Sequence, residues 1–472
     1  MAEEAKKTRV VVVGGGPGGY VAAIRAAQLG ADVTLVEKAK LGGTCLNVGC
    51  IPTKAMLHAA EFAKAPQDAA EWGVHLTLDK LDFGAVVAQK TAVCSKLTGG
   101  VAALLKSSKV RVINGEAHFI APRKLSVCKE DGSSELIEGE RIILATGSVP
   151  VIPPIDGLRE SKYMIDSTGA LSLSEVPESL LVIGGGVIGV ELACAYCAFG
   201  SKVTIIEALP RLCPTIDYEL GDLLRKELEK QGIEILTGYK VTRVIDKDTC
   251  AEVTAVSETD TRTIPCTKLL AALGRRPYTD DLNLDACGIR YERSKVLVDE
   301  YLQTNVAGVY AIGDCVGKIM LAHTASAQGE TAAENALGEK NAYAPACVPS
   351  CFYTFPEVAS TGFTEEQAKE RGITYHVGRF PLSANGRSLI LNGGNGMIKV
   401  IVGDELNEVL GVHIIGPSAS ELVNEANLLI TMEGTAAEDL LSIHAHPSVS
   451  EAIREAFLAS EGRAIHIPNK KK

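Results

Sequence analysis

Long hydrophobic runs are missing from this sequence, and that absence excludes most. No stretch approaches the roughly 18 apolar residues that span a bilayer. After the charged Met1 to Thr8 comes only the run Val10–Val13, shorter than the apolar core of about 7–15 residues in a secretory signal. A cytoplasmic chain with no membrane partner is expected. Positive charge is also in deficit, with 47 Lys and Arg against 58 Asp and Glu and a net charge of −11. Nucleic acid, whose phosphates require excess cations, is not an expected partner. The Lys470–Lys472 tail reads as a solvated end. Composition excludes disorder and collagen, and 472 residues suit about three domains. Thirteen cysteines then stand out. The number is odd, and a reducing compartment does not sustain a disulfide framework, so most should be small buried hydrophobes. A chemically active pair must be identified by its neighbours.

Two stretches repeat one pattern. Val10–Val13 is β-branched, as in a strand buried on both faces. Gly14, Gly16 and Gly19 follow as G-x-G-x-x-G, then a helical stretch from Tyr20 to Leu29, a strand from Asp32 to Val36, and Glu37. The glycines allow a tight turn and let backbone approach a pyrophosphate seated on a helix N-terminus, while the acid accepts ribose hydroxyls. Leu180 to Ile183, Gly184, Gly186, Gly189, a helix, Lys202 to Ile206 and Glu207 repeat the arrangement, with each acid 23 positions after its first glycine. Both copies close on a strand that ends before a proline, at Pro150 and Pro277. Two dinucleotide sites in one chain imply a bound flavin and a nicotinamide, hence hydride transfer. Glu207 suits a free 2′-hydroxyl and repels a 2′-phosphate, which favours NAD over NADP; Arg211, four residues on, is the only nearby argument for a phosphate.

Between the first unit and Lys54 lie Cys45 and Cys50. Five apart in a regular helix, their Cα atoms would be roughly 8–9 Å apart, against about 4.4–6.8 Å for a disulfide. They can bridge only where the backbone leaves the helix, which Gly49 and Pro52 permit. Two unlinked thiols are the bland alternative. Their position after a dinucleotide unit, where a flavin could pass electrons to them, favours a redox-active disulfide. Cys194 with Cys197 and Cys347 with Cys351 have helical spacings that could suggest zinc, but a helix packed on its sheet explains the first pair better, and no metal is expected.

These motifs resemble those of the flavin-dependent pyridine nucleotide–disulfide oxidoreductases, within them most closely the enzymes acting on dihydrolipoyl groups. The resemblance covers nearly the whole chain: Gly43 to Lys54, Gly184 to Glu191, Gly274 to Pro277, Ala311 to Asp314, Met320 to His323, and His444-Ala445-His446-Pro447 with Glu451. It implies an α/β fold with two Rossmann-like dinucleotide-binding domains, for FAD and NAD, plus an α+β C-terminal dimerisation domain. The expected divisions are 1–150 for FAD, 151–277 for NAD, a central part 278–347 returning to the FAD domain, and an interface domain 348–472. FAD is expected at Gly14, Gly16, Gly19, Glu37, Lys38, Gly43, Thr44, Lys54, the backbone of Ala117, Thr146, Gly147, Ser148, Asp314, Met320, Leu321, Ala322 and His323. NAD is expected at Gly184, Gly186, Val187, Ile188, Gly189, Glu191, Glu207, Val241 and Gly274. Lys54 and Glu191 resemble an ion pair beside the flavin.

His446 precedes a helix with apolar positions Val449, Ile453 and Phe457. By spacing alone, Ser448-x-x-Glu451 is a capping box and His446 a helix-entry residue. The resemblance instead makes His446 and Glu451 an acid–base pair reaching the partner subunit's disulfide in a homodimer, with His444 behind them. It implies oxidation of a protein-bound dihydrolipoyl group with NAD. The implied partners are lipoyl domains and the acyltransferase core of 2-oxo acid dehydrogenase complexes, or the lipoyl carrier protein of glycine cleavage. A reductase for glutathione or mercuric ion, a flavin oxidase without a thiol substrate, and a docking subunit are the rivals. Glu207 disfavours the first, the lack of a C-terminal cysteine pair the second, and the presence of both the Cys and His-Pro motifs the oxidase.

Overall fold

The computed structural model describes residues 6–469, so Met1–Ala5 and the Lys470–Lys472 tail lie outside the described residues. The valine run lies in β1 (Lys6–Val13), where Val10, Val11 and Val12 are fully buried. Helix α1 (Pro17–Gln28) crosses to β2 (Val33–Glu37), parallel to β1. Helices α2 (Gly43–Val48), α3 (Cys50–Ala70) and α4 (Phe83–Ser107) precede β3 (Arg111–Asn114), which extends the parallel set. Then β4 (Glu116–Ala121), β5 (Lys124–Cys128) and β6 (Ser134–Leu144) form an antiparallel flap, and β6 runs on beside β1.

After β7 (Ser148–Pro150), β8 (Met164–Ile165) and α5 (Ser167–Ala170) the plan recurs. Its parts are β9 (Ser179–Ile183), α6 (Val187–Ala198), β10 (Lys202–Glu207), α7 (Tyr218–Lys230) and β11 (Glu234–Thr237). A three-stranded flap of β12 (Lys240–Asp246), β13 (Ala251–Val256) and β14 (Thr261–Cys266) leads to β15 (Lys268–Ala271), parallel to β9. Strand β16 (Arg275–Pro277) pairs antiparallel with β7, so the segments that leave the two units lie against each other. The hairpin β17 (Tyr291–Glu292) and β18 (Lys295–Val296) precedes β19 (Val309–Ala311), which joins the first sheet parallel to β6. The second unit is therefore enclosed, in sequence, between strands of the first sheet. Helix α8 (Ala322–Ala336) then packs on α1.

The last part is an antiparallel sheet, ordered β20-β21-β24-β23-β22. It comprises β20 (Ser350–Phe352), β21 (Glu357–Gly362), β22 (Tyr375–Pro381), β23 (Met397–Gly403) and β24 (Val409–Gly416), with α9 (Glu365–Glu370) and α10 (Gly386–Asn392) in the connections. Helices α11 (Ala419–Thr431), α12 (Ala436–Leu441) and α13 (Glu451–Ser460) follow. Val449, Ile453 and Phe457 are buried against the sheet, as their spacing required. The capping box expected at Ser448 is not formed. The helix begins at Glu451 with Ser450 at its N-cap, and the Ser448 hydroxyl donates to Ala445 O at 2.5 Å instead. Only the reciprocal half survives, with Ser448 N–H donating to Glu451 Oε2 at 2.9 Å.

Sheet and second unit are joined by buried charge. Lys399 on β23 and Asp217 at the N-cap of α7 are both fully buried and 2.9 Å apart, and Lys399 also meets Glu219 at 3.1 Å and Glu365 at 2.7 Å. No helix among the described residues is long and apolar enough to cross a membrane.

Candidate active site

Each glycine turn is shaped by what a Cβ would strike. Gly14 has φ +105°, and a Cβ there would lie 2.3 Å from Ala145 O; one on Gly19 would lie 1.8 Å from Gly14 O. The second copy repeats both limits, with Gly184 at φ +108° and 2.4 Å from Ala272 O, and Gly189 at 2.1 Å from Gly184 O. Gly16 and Gly186 are the N-caps of α1 and α6, and neither helix start has a side-chain cap. Bare amides at a positive helix end, with no side chain in front, fit a dinucleotide pyrophosphate at both places. Val187 and Ile188 open the second helix.

Glu37 and Glu207 are also equivalent, and they do more than the spacing implied. Glu37 accepts the Gly15 amide at 2.6 Å and the Ala39 amide at 2.7 Å. Glu207 accepts the Gly185 amide at 2.7 Å and the Leu209 amide at 2.8 Å. Each acid fastens its own glycine loop, and a carboxylate retains lone pairs for ribose hydroxyls. Arg211 is engaged elsewhere, pairing with Glu366 at 2.6 Å. Val241 is buried in the core of the second unit, and Ala117 in that of the first, which leaves their backbones for contact. Gly274 has φ +94°, and its carbonyl accepts from Val151 N at 3.0 Å. Lys38 pairs with Glu116 at 3.3 Å and sits 3.8 Å over the Tyr278 ring.

The cysteine segment departs from regular helix where it must. Gly49, at φ −141° and ψ −112°, separates α2 from α3, with Cys45 on one side and Cys50 first on the other. Gly43 opens α2, next to Thr44. All thirteen cysteines are free thiols, and those of Cys45 and Cys50 lie close enough to shift each other's ionisation. That contact raises Cys45 well above the ordinary thiol range, with burial adding to it. It lowers Cys50 to about 7; burial opposes this, and the Lys54 ammonium assists. The pair thus holds one proton between two sulfurs, with Cys50 the more ready thiolate. One turn further along α3, Lys54 Nζ meets Glu191 of α6 at 2.8 Å and lies 4.5 Å over the Tyr353 ring. Glu191 is buried and also accepts the Tyr353 amide at 2.8 Å.

Beside this segment the ends of several strands converge. Ser148 Oγ donates to Asp314 at 2.5 Å and accepts from Arg275 Nε at 2.7 Å, while Arg275 Nη2 reaches Ser148 O at 2.7 Å and Thr44 Oγ1 at 3.4 Å. Burial lowers the Arg275 pKa, against the pull of Asp314. Thr146 Oγ1 donates to Tyr278 O at 2.6 Å, and Gly147 O accepts the Tyr278 amide. Met320 and Leu321 lead into α8, where Ala322 is first and His323 Nε2 lies 2.9 Å from Pro349 O. Arg275 and Tyr353 were not singled out from sequence. Both reach the site from far along the chain, Arg275 on β16 and Tyr353 just past β20, and only the basic residue inside Gly274–Pro277 hinted at one of them.

His446 stands apart from the cysteine segment, and among the described residues no hydrogen bond or ion pair joins them. Its Nδ1 lies 2.9 Å from Glu451 Oε1, and its side chain is 82% exposed. Burial opposes the charge on Glu451, but the Ser448 amide and His446 prevail and hold its carboxyl below the usual range. The ring is oriented by a carboxylate on one nitrogen and presents the other outward.

Residues 8–329 match the family described as Pyridine nucleotide-disulphide oxidoreductase, and residues 348–457 match its dimerisation domain. The chain is 42% identical over 471 residues to the dihydrolipoyl dehydrogenase of Geobacillus stearothermophilus, covering 100% of both. It is 44% identical over 465 residues to the dihydrolipoyl dehydrogenase of Thermus scotoductus, covering 98% of this chain and 99% of that one. Among solved structures it resembles LpdA from Mycobacterium tuberculosis, with a TM-score of 0.88, 27% identity, and coverage of 95% and 99%. It is similarly close to the flavoprotein disulfide reductase RclA from Escherichia coli, with a TM-score of 0.85, 31% identity, and coverage of 95% and 99%.

Proposed function

The chain belongs to the pyridine nucleotide-disulphide oxidoreductases, and from that membership we propose that it oxidises a protein-bound dihydrolipoyl group to lipoyl while reducing NAD. The observation that carries this reading is the Cys45–Cys50 contact beside the Lys54–Glu191 ion pair. Bound FAD supplies the route by which an electron pair passes from dithiol to nicotinamide. The residues here supply the rest. His446, held by Glu451, takes a proton from one substrate thiol. The substrate thiolate attacks Cys45 of the oxidised pair, and the Cys45–Cys50 bond breaks. Cys50 departs as thiolate, which the nearby Lys54 ammonium favours because a more acidic thiol leaves faster. The second substrate thiol then displaces Cys45, closing the lipoyl disulfide and leaving two reduced cysteines. Glu207 and the engaged Arg211 fit NAD rather than its phosphorylated form.

The C-terminal part is the family's dimerisation domain. Within one protomer it exposes Leu428, Met432, Leu441 and Ile443, which suits burial against a second copy. We place His446 at Cys45 of the partner subunit, consistent with the high exposure of its ring. Lipoyl domains of a 2-oxo acid dehydrogenase complex, or a glycine-cleavage carrier, would present the dithiol. A cytoplasmic location suits a chain whose eleven other cysteines form no disulfide framework.

Anaerobic titration of the FAD-loaded dimer should show flavin reduction by dihydrolipoamide and none by glutathione. Reduction by glutathione alone would overturn the substrate class. His446→Ala should cut dihydrolipoamide turnover by about a hundredfold or more while NADH-to-dye activity persists; normal lipoamide turnover would remove His446 from the chemistry.

A further inference from the structure

Within one protomer the segment Leu441–Pro447 is exposed except at His444, and Leu441 and Ile443 belong to the face proposed above to meet the second copy. The His444 side chain is only 6% exposed and fits between two acids from different helices. Its Nε2 lies 2.7 Å from Glu425 Oε1 on α11 and 3.9 Å from Asp439 Oδ1 at the end of α12. Asp439 is itself buried, and its Oδ2, like His444 Nδ1, has no hydrogen-bond partner among the described residues.

We propose that His444 is a positioning residue: clamped between Glu425 and Asp439, it anchors the exposed segment Leu441–Pro447 and so sets where His446 meets the dithiol. This rests on the reading of His446 as the acid–base group. The two histidines lie two residues apart, with the His444 side chain 6% exposed and the His446 side chain 82% exposed. One is anchored and the other presented. The clamp is also electrostatically suited to the task. Glu425 raises the His444 pKa above the ordinary 6.5 through its hydrogen bond, against burial, and Asp439 adds to the rise. Burial lifts Asp439 to about 6, and Arg454 on α13 opposes charge on His444 while favouring it on Asp439. His444 thus has two acidic side chains facing it and one arginine against its charge. Anchoring of this kind shows in turnover rather than affinity, because a base displaced by an ångström still lets substrate bind.

The test uses the FAD-loaded dimer and three variants, His444→Ala, His444→Gln and His446→Ala. His444→Ala should lower kcat for dihydrolipoamide by roughly 10–100-fold, with KM for NAD, flavin content, dimer mass and NADH-to-dye turnover unchanged. His444→Gln, whose amide can still donate to Glu425, should recover most of that loss. The proposal is overturned if His444→Ala keeps kcat within about twofold, if His444→Gln is as impaired as alanine, or if dye turnover falls in parallel. Should His444→Ala not dimerise, Glu425→Leu removes the acceptor without opening a hole and is expected to show the same selective fall in kcat. Normal turnover in His446→Ala would instead overturn the acid–base reading on which the clamp depends.

Discussion

Lys54 has three neighbours that respond differently to its charge. It lies on the ring of Tyr353, pairs with buried Glu191, and lowers the thiol of Cys50. Removing the ammonium should raise the Cys50 pKa from about 7, because Lys54 and the Cys45 thiol both favour its thiolate while burial opposes it. The sign is simple: thiolate is present above about pH 7 and disappears as pH falls through that value. In Lys54→Met the midpoint of thiolate ultraviolet absorbance in the reduced enzyme should move upward, and in Lys54→Arg it should remain close to wild type. An unmoved midpoint in the methionine variant would mean that Lys54 does not act on this sulfur. Because Cys50 is the leaving group in the proposed exchange, the same variant should slow attack on Cys45.

At the scale of elements, the two glycine turns are interchangeable in shape but not in consequence. A methyl at position 189 would lie 2.1 Å from Gly184 O, and one at 19 would lie 1.8 Å from Gly14 O. Neither loop can accept it without opening. Gly189→Ala should therefore raise KM for NAD by roughly tenfold or more and leave the flavin bound, whereas Gly19→Ala should yield protein depleted of flavin absorbance; equal loss of both functions in either variant would contradict independent cradles. These turns were legible because strand, turn, helix and acid are all local and the spacing repeats. Strand β20 was not read, since Ser350–Phe352 carries too few residues for alternation to show. Arg275 was invisible as a partner of Ser148 because the contact depends on β7 pairing with β16, 127 residues away. The expected cap at Ser448 failed for a different reason. Its spacing was right and Glu451 does accept the Ser448 amide, but the Ser448 hydroxyl turns to Ala445 O and the helix starts later.

Across the whole molecule, the charge cluster at Lys399 ties the second unit to the C-terminal sheet. Lys399→Met would leave the fully buried Asp217 carboxylate without its cation, and a loss of about 3–5 kcal/mol in unfolding stability is expected; a melting temperature equal to wild type would show that the cluster contributes nothing. The cluster also sets an acid limit. Arg379 holds Glu219 at about 2, and Lys399 together with Lys369 overcomes burial to hold Glu365 at about 2 as well. Both pKa values lie below the ordinary 4.5, so this stabilisation is complete above that pH and is lost as pH falls from there towards about 2. Acid unfolding followed by fluorescence should begin at higher pH in Lys399→Met. The return of β19 to β6 has a consequence in time. The first sheet cannot close until Val309–Ala311 has left the ribosome, long after Leu144. At about 5–20 residues per second, the unfinished edge of β6 waits on the order of ten to thirty seconds while the second unit is made. That unit can fold during the wait, since its own five strands lie between Met164 and Ala271. Until synthesis reaches β19, the nascent chain therefore carries a completed second unit beside an open-edged first sheet, the interval in which it most needs a chaperone.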